Sequence, residues 1–262
     1  MTSYNTPPLQ HQSRSAEADA FLTTIQDLRP TALTACNGWS VHHIGAHVAA
    51  SYDEAAQHVE AYGEGRPLGS TRSWEEREPP YRDLTPAQLL ARLEHAEERM
   101  RRAVLSVLAN EPDAELWWTG RVMRVDAFLY HLRTECAIHR WDMTGDDDVS
   151  LHLLTEPDLF VHSVTSVGAK PLCARGLALD ALRGRPLTAR VRSDTQPDLL
   201  IHAENAIPAF DLTAPVGDAL IEGDQAARTL LLWGRKPSPP TRLVAVGPDD
   251  EVDRLQRLLS GY

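Results

Sequence analysis

The chain has 262 residues, 42% of them hydrophobic and 24% charged, with 37 Asp plus Glu against 26 Lys plus Arg and a net charge of −11. That balance argues against nucleic acid or an anionic membrane as the main partner, because both attract positive surfaces. The length exceeds one ordinary compact domain, so two domains with ample material for a core are expected. Cys36, Cys136 and Cys173 show no close pairing, which reads as reduced thiols in a cytoplasmic protein. Met1 to Arg14 is polar, and no run of about 18 apolar residues exists to span a membrane.

In chain order, Ala18, Phe21, Leu22, Ile25 and Leu28 repeat at three-and-four spacing and predict a helix over Ser15 to Leu28, ending before Pro30. Ser40 is placed to N-cap a second helix with an apolar face through Val41, Ile44, Val48 and Tyr52, fading near Gly63 and Gly65. Gly65 to Asp83 is rich in Gly, Pro and Arg and reads as a long functional loop. Thr85-Pro86 opens a third helix that runs to about Asn110, carried by Leu89, Leu93, Ala96, Met100 and Val104. A tryptophan-containing loop, Glu111 to Arg121, leads to a fourth helix over Val122 to Met143, stopped by Gly145. Asp146 to Asp148 is expected as a solvated acidic turn, followed by a fifth helix over Glu156 to Ala169.

Beyond about Leu177 the texture changes. Short strands are predicted at Leu187 to Arg192, Leu199 to Ala203, Phe210 to Thr213, Ala219 to Glu222 and Arg242 to Val246, with helices at Gln225 to Trp233 and Asp249 to Leu259. The fold class expected is therefore α plus α+β: an antiparallel helix bundle over 1–172 and a small α+β domain over 173–262.

The chemistry centres on Glu135 and His139, one helical turn apart, with His47 on a separate predicted helix. Residues four apart share a helix face, so carboxylate and imidazole can converge on one cation while His47 approaches from its neighbour. Two histidines and one carboxylate leave a coordination position open, the arrangement of catalytic rather than structural zinc. A Glu/His pair at this spacing is also an ordinary surface hydrogen bond. Its interleaving with Leu132, Cys136 and Ile138 encloses it, and a buried carboxylate needs a compensating charge. Asp142 either orients His139 or helps to end the helix. His131 and His43, each one turn before a proposed ligand, compete for the same role; His42 is expected to face solvent, and His11, His58, His95, His152, His162 and His202 carry no partner pattern. Cys136 is turned about 100° from Glu135 and reads as a small core residue, not a nucleophile. Trp39 reads as a packing residue at the helix start, with a pocket wall as the alternative.

Three segments carry a resemblance. Trp39-Ser-Val-His-His-Ile-Gly-Ala-His47, Glu135-Cys-Ala-Ile-His139-Arg-Trp-Asp142 and Gly223-Asp-Gln-Ala-Ala-Arg-Thr-Leu-Leu-Leu-Trp-Gly-Arg235 resemble, in order and spacing, motifs of the mycothiol-dependent maleylpyruvate isomerase family of the DinB-like superfamily. The resemblance implies an N-terminal DinB-like four-helix bundle and a C-terminal sterol-carrier-protein-like α+β domain. It further implies that His47, Glu135 and His139 hold zinc or another divalent metal, and that mycothiol serves as thiol cosubstrate in its deprotonated, nucleophilic form. In the isomerase, thiol addition to the activated double bond of maleylpyruvate permits rotation and elimination to fumarylpyruvate; in transferase relatives the adduct is the product. Arginines would hold substrate carboxylates, with Arg235 matching one position and Arg77 another, and Arg82 as its rival. Many relatives carry an acidic residue where His43 stands, which would complete a capping box that His43 is not expected to close in the same way. The long loop also lacks a clear isomerase pattern.

The expected function is a metal-dependent, mycothiol-using isomerase or S-transferase acting on a small electrophilic, acidic substrate, in a monomer or small homo-oligomer. A metal-dependent hydrolase of an amide or thiol conjugate and a non-enzymatic small-molecule-binding protein are the alternatives.

Overall fold

A computed structural model describes residues 13–194 and 196–261; His11 lies outside them. The described chain divides into two compact units between Thr144 and Gly145, earlier than the 172/173 division expected from sequence. Gly145, at φ 72°, ends a long helix there.

The first unit is built on four long helices: α1 (Ala16–Asp27), α2 (Val41–Gly63), α5 (Pro86–Asn110) and α6 (Ala127–Thr144), with the short α3 (Trp74–Arg77) and α4 (Pro79–Arg82) between α2 and α5. Helix starts follow local chemistry. Ser15 accepts from the Ala18 N–H, and Thr85 and Gln88 close a capping box ahead of Pro86 at the first helical position. α2 also opens with a capping box, contrary to expectation: the Ser40 N–H donates to Nδ1 of His43 at 3.1 Å. A neutral imidazole nitrogen thus does what a carboxylate was expected to do, and His43 is occupied with backbone rather than metal.

Helix α2 presents Ala46, Ala49, Ala55 and Ala56 to the core, all at most 1% exposed, small residues that let it approach α5. At Gly45 a Cβ would come within 3.2 Å of Leu89 Cδ2. Phe21 from α1, Tyr52 and Val59 from α2, Leu93 and Met100 from α5, and Phe128 and Leu132 from α6 share one core.

The helix predicted from Val122 begins later. Residues Glu115–Trp118 (β1) and Arg121–Arg124 (β2) form an antiparallel hairpin, turned by Thr119 and Gly120 with φ of 45° and 81°, the two left-handed positions of a type I′ turn. Leu116, Trp118 and Met123 face the core, while Trp117 and Val122 face out. That period-2 alternation is why the segment is strand. The long loop likewise contains α3 and α4.

In the second unit the expected acidic turn and fifth helix resolve differently. Asp147 caps α7 (Asp148–Leu154), and the fifth helix is α8 (Pro157–His162) followed by a π-helical turn, Ser163–Val167, then α9 (Ala169–Ala178) after Gly168. A five-stranded sheet follows: β3 (Leu187–Ser193), β4 (Gln196–Glu204), β5 (Ile207–Thr213), β6 (Ile221–Gly223) and β7 (Leu243–Ala245), in spatial order β5-β4-β3-β6-β7. Among the described residues, only β3 and β6 pair in parallel. Alternating Leu187, Ala189 and Val191 on β3, opposite Leu199, Ile201 and Ala203 on β4, bury one face, against which α10 (Gln225–Leu232) and α11 (Asp249–Leu258) pack. No helix among the described residues is long and apolar enough to cross a membrane.

Candidate metal centre

The three residues singled out from the sequence meet in the first unit. α2 supplies His47 and α6 supplies Glu135 and His139, and one ligand atom from each lies within 4.8 Å of the others. Glu135 Oε2 is 3.3 Å from His139 Nε2 and 3.5 Å from His47 Nε2. Two imidazole nitrogens therefore face one carboxylate oxygen. Glu135 and His139 are buried and His47 is half-buried, so one side of the cluster keeps access to solvent.

The far side of each imidazole explains its orientation. His139 Nδ1 lies 2.9 Å from Asp142 Oδ2, and His47 Nδ1 lies 2.6 Å from Glu78 Oε1. Ionised carboxylates only accept, so both rings carry an Nδ1 proton outward and turn Nε2 toward Glu135. Glu78 is fully buried, and Arg82 Nη2 holds its second oxygen at 2.5 Å. Burial works against its charge, but the hydrogen bond and charge of His47 and those of Arg82 prevail and bring its carboxyl below the ordinary range. Asp142 also accepts from Cys36 Sγ at 3.1 Å, so its side chain orients His139.

Electrostatically the cluster is tuned for a cation. Burial would raise the Glu135 carboxyl, yet hydrogen bonds from His139 and His47 and the charges of His139 and His131 bring it well below its usual range. Burial would lower His139, yet hydrogen bonds to Asp142, Cys36 and Glu135 lift it well above the ordinary 6.5. A proton on His139 thus occupies the position where a divalent ion would bind. Cys36, His139 and Asp142 also lie within ligand range of one another, but their contacts run through Nδ1 and Asp142 Oδ2 as hydrogen bonds, on the opposite side of the ring.

The rival histidines fall differently. His131 Nε2 is 3.9 Å from Glu135 Oε1, at the edge of the cluster. Burial, with help from Arg121 and Arg77 and against the pull of Glu135, brings it down to about 4. His42 does not simply face solvent: its Nε2 meets the Arg82 carbonyl at 3.0 Å. Cys136 is buried against Tyr52 Oη at 3.3 Å with its thiol pushed far up by burial, which suits a core residue. Trp39 packs on the core, in keeping with its packing reading, and also lies 5.3 Å from the His47 ring and 6.1 Å from that of half-exposed Trp74.

Arg77 reaches from α3 to Ser51 Oγ at 3.1 Å, and Ser51 in turn donates to the His47 carbonyl. Its Nε is buried with no hydrogen-bond partner. Arg82, its rival, donates from Nη2 to Glu78, and its Nε is likewise buried with no hydrogen-bond partner. Arg235 lies in the second unit just beyond α10, with Nη1 donating to the Trp233 carbonyl at 2.7 Å. Within its motif, Asp224 caps α10, Arg228 stacks 4.0 Å over the Phe160 ring, and Trp233 Nε1 donates to Ser163 Oγ. Sequence reasoning missed Glu78 and Cys36. The only signal for Glu78 was its place in a loop expected to be functional.

A donor set of two imidazoles and one carboxylate, mostly buried and with each imidazole backed by a second carboxylate, defines a candidate metal-binding helical unit. Residues 12–144 match the model of the mycothiol maleylpyruvate isomerase N-terminal domain, and the chain belongs to that family. Two crystal structures of the mycothiol-dependent maleylpyruvate isomerase, one of them of a mutant, match with a TM-score of 0.58 and 15% identity over 88% of this chain and 88% of theirs, a likeness of fold. No curated protein matches in sequence.

Proposed function

We propose that this protein is a metal-dependent, mycothiol-using isomerase or S-transferase acting on a small electrophilic, acidic substrate. The observation that carries the reading is the convergence of His47 Nε2 and His139 Nε2 on Glu135 Oε2. In this reading they hold zinc or another divalent ion, within a DinB-like bundle followed by a sterol-carrier-protein-like domain. When bound, the ion supplies a positive charge at an open position that favours the deprotonated, nucleophilic form of a thiol.

The chain's own residues do the rest. Glu78 and Asp142 keep both Nε2 lone pairs directed inward. Arg77, in contact with Ser51 on the helix of His47, is assigned the task of taking a substrate carboxylate, and Arg235 keeps the candidate role that its motif suggests. Trp39 and Trp74 provide an aromatic wall beside His47. Addition of the thiolate to an activated double bond forms the C–S bond and leaves an enolate, and protonation of its carbon by solvent yields the S-transferase product. Without that protonation, rotation about the new single bond and expulsion of the same thiolate yields the isomer, with no net gain or loss of atoms.

The test is metal analysis of protein purified without chelators, combined with turnover of maleylpyruvate and related α,β-unsaturated acids with and without mycothiol. One equivalent of divalent metal and thiol-dependent turnover are expected, with Arg77→Ala raising KM for the acid about tenfold. Turnover without thiol would replace this reading by hydrolysis, and absence of metal would reject it.

A further inference from the structure

Residues 65–83 lie along α2 through a row of polar contacts. Arg72 Nε donates to Glu54 Oε2 at 2.8 Å, Arg77 Nη2 to Ser51 Oγ at 3.1 Å, and Glu78 accepts from His47 Nδ1 at 2.6 Å. On α2 those partners are His47, Ser51 and Glu54, spaced zero, four and seven, which is one helix stripe. The segment that carries Trp74, Arg77 and Arg82 is therefore seated on the same stripe that carries a proposed metal ligand. Glu78 is the one member of the row that touches that ligand. It is also fully buried and clamped from behind by Arg82.

We propose that Glu78 is a positioning residue that couples metal binding to the seating of residues 73–82. The inference rests on the metal reading above. An imidazole ligand left without an acceptor on Nδ1 can rotate or adopt the other tautomer, and Nε2 then no longer faces the ion. Linkage runs both ways: a segment that strengthens metal binding by holding His47 is itself held more firmly when metal is bound, by the same factor. The result is a site whose substrate-side arginine and aromatic wall settle into place when the ion is present.

The experiment measures zinc dissociation constants by chelator competition and backbone hydrogen exchange of residues 73–82 with and without zinc. It compares the wild-type chain, Glu78→Gln, and Glu54→Gln as a control on the same stripe. Glu78→Gln is expected to weaken zinc binding about 10- to 100-fold, the usual effect of removing a carboxylate behind a metal-bound histidine, and to abolish the zinc-induced protection of 73–82. Glu54→Gln should stay within about twofold of wild type. Arg82→Gln, which only releases the far oxygen of Glu78, should weaken zinc a few-fold and serves if Glu78→Gln does not fold. Zinc binding by wild type with no change in either Glu78→Gln or Arg82→Gln overturns the coupling and leaves the metal reading standing. Failure of wild type to bind zinc overturns both.

Discussion

Glu135 in the helical unit and Asp198 in the sheet unit are both buried carboxylates, and they keep opposite company. Asp198, on β4, is fully buried and accepts from Arg190 Nη1 at 3.1 Å and Arg192 Nη2 at 3.0 Å. Its charge is met by guanidinium groups that carry no lone pair and cannot ligate anything. Glu135 faces the imidazoles of His47, His139 and His131 instead, groups whose ring nitrogens can offer a lone pair. Burial of a charge is common to both places; only the second is ringed by groups able to ligate, and that is what supports the metal reading.

The largest expected effect separates the two directly. His139→Ala or His47→Ala should weaken zinc binding more than about 100-fold, beyond the cost of losing a residue that merely supports a ligand, by chelator competition. Asp198→Asn should leave zinc affinity unchanged and lower the unfolding free energy by about 2 kcal/mol, as expected for charged hydrogen bonds weakened in a buried place, by urea denaturation. Equal zinc loss in all three would erase the distinction.

A second effect concerns protons. Because His139 is lifted above 6.5 in the metal-free protein, zinc must displace a proton from it, and about one proton should be released per ion near neutral pH. Calorimetry in buffers of different ionisation enthalpy measures this. Zinc affinity should fall about tenfold per pH unit below the His139 pKa. The metal-free protein shows the reverse. A raised folded-state pKa contributes stability that is complete below 6.5 and is lost as pH rises through the folded value, so metal-free stability should decline on going alkaline while zinc-bound stability does not. Glu135, being lowered, contributes stability above about 4.5 that is lost as pH falls through its folded value.

The smallest effect is expected at Cys136, which lies between the two ligands in sequence but is buried against Tyr52. Cys136→Ala should leave zinc stoichiometry intact and cost about 1 kcal/mol for the small void, read from the same denaturation curves. Loss of zinc in this variant would move the site to the other face of α6.

What was legible in the sequence follows the range of the interactions involved. Glu135 and His139 share a helix, so their proximity is a matter of period; His47 was the third candidate from its own predicted helix, and the family resemblance implied the same role. Glu78 lies 31 residues from His47 in a stretch without periodicity, and only the docking of α3 and α4 on α2 brings them together. The β1–β2 hairpin hid for another reason: Val122 and Val125 fit the apolar spacing of the helix that follows, and the Thr119-Gly120 turn was the competing signal. At His43 the expectation considered only carboxylates as cap acceptors, whereas an imidazole nitrogen serves. The break at Gly168 is likewise local chemistry, overlooked beside the apolar positions Leu159, Phe160, Val164 and Val167.

The three-residue metal site stands or falls on where an ion sits. Zinc-soaked crystals measured on either side of the zinc absorption edge should show one anomalous peak about 2.0–2.2 Å from His47 Nε2, His139 Nε2 and a Glu135 oxygen, the ordinary zinc–ligand distances. A peak on the Cys36–Asp142 side of His139, or none in crystals where the three side chains are well ordered, would contradict it.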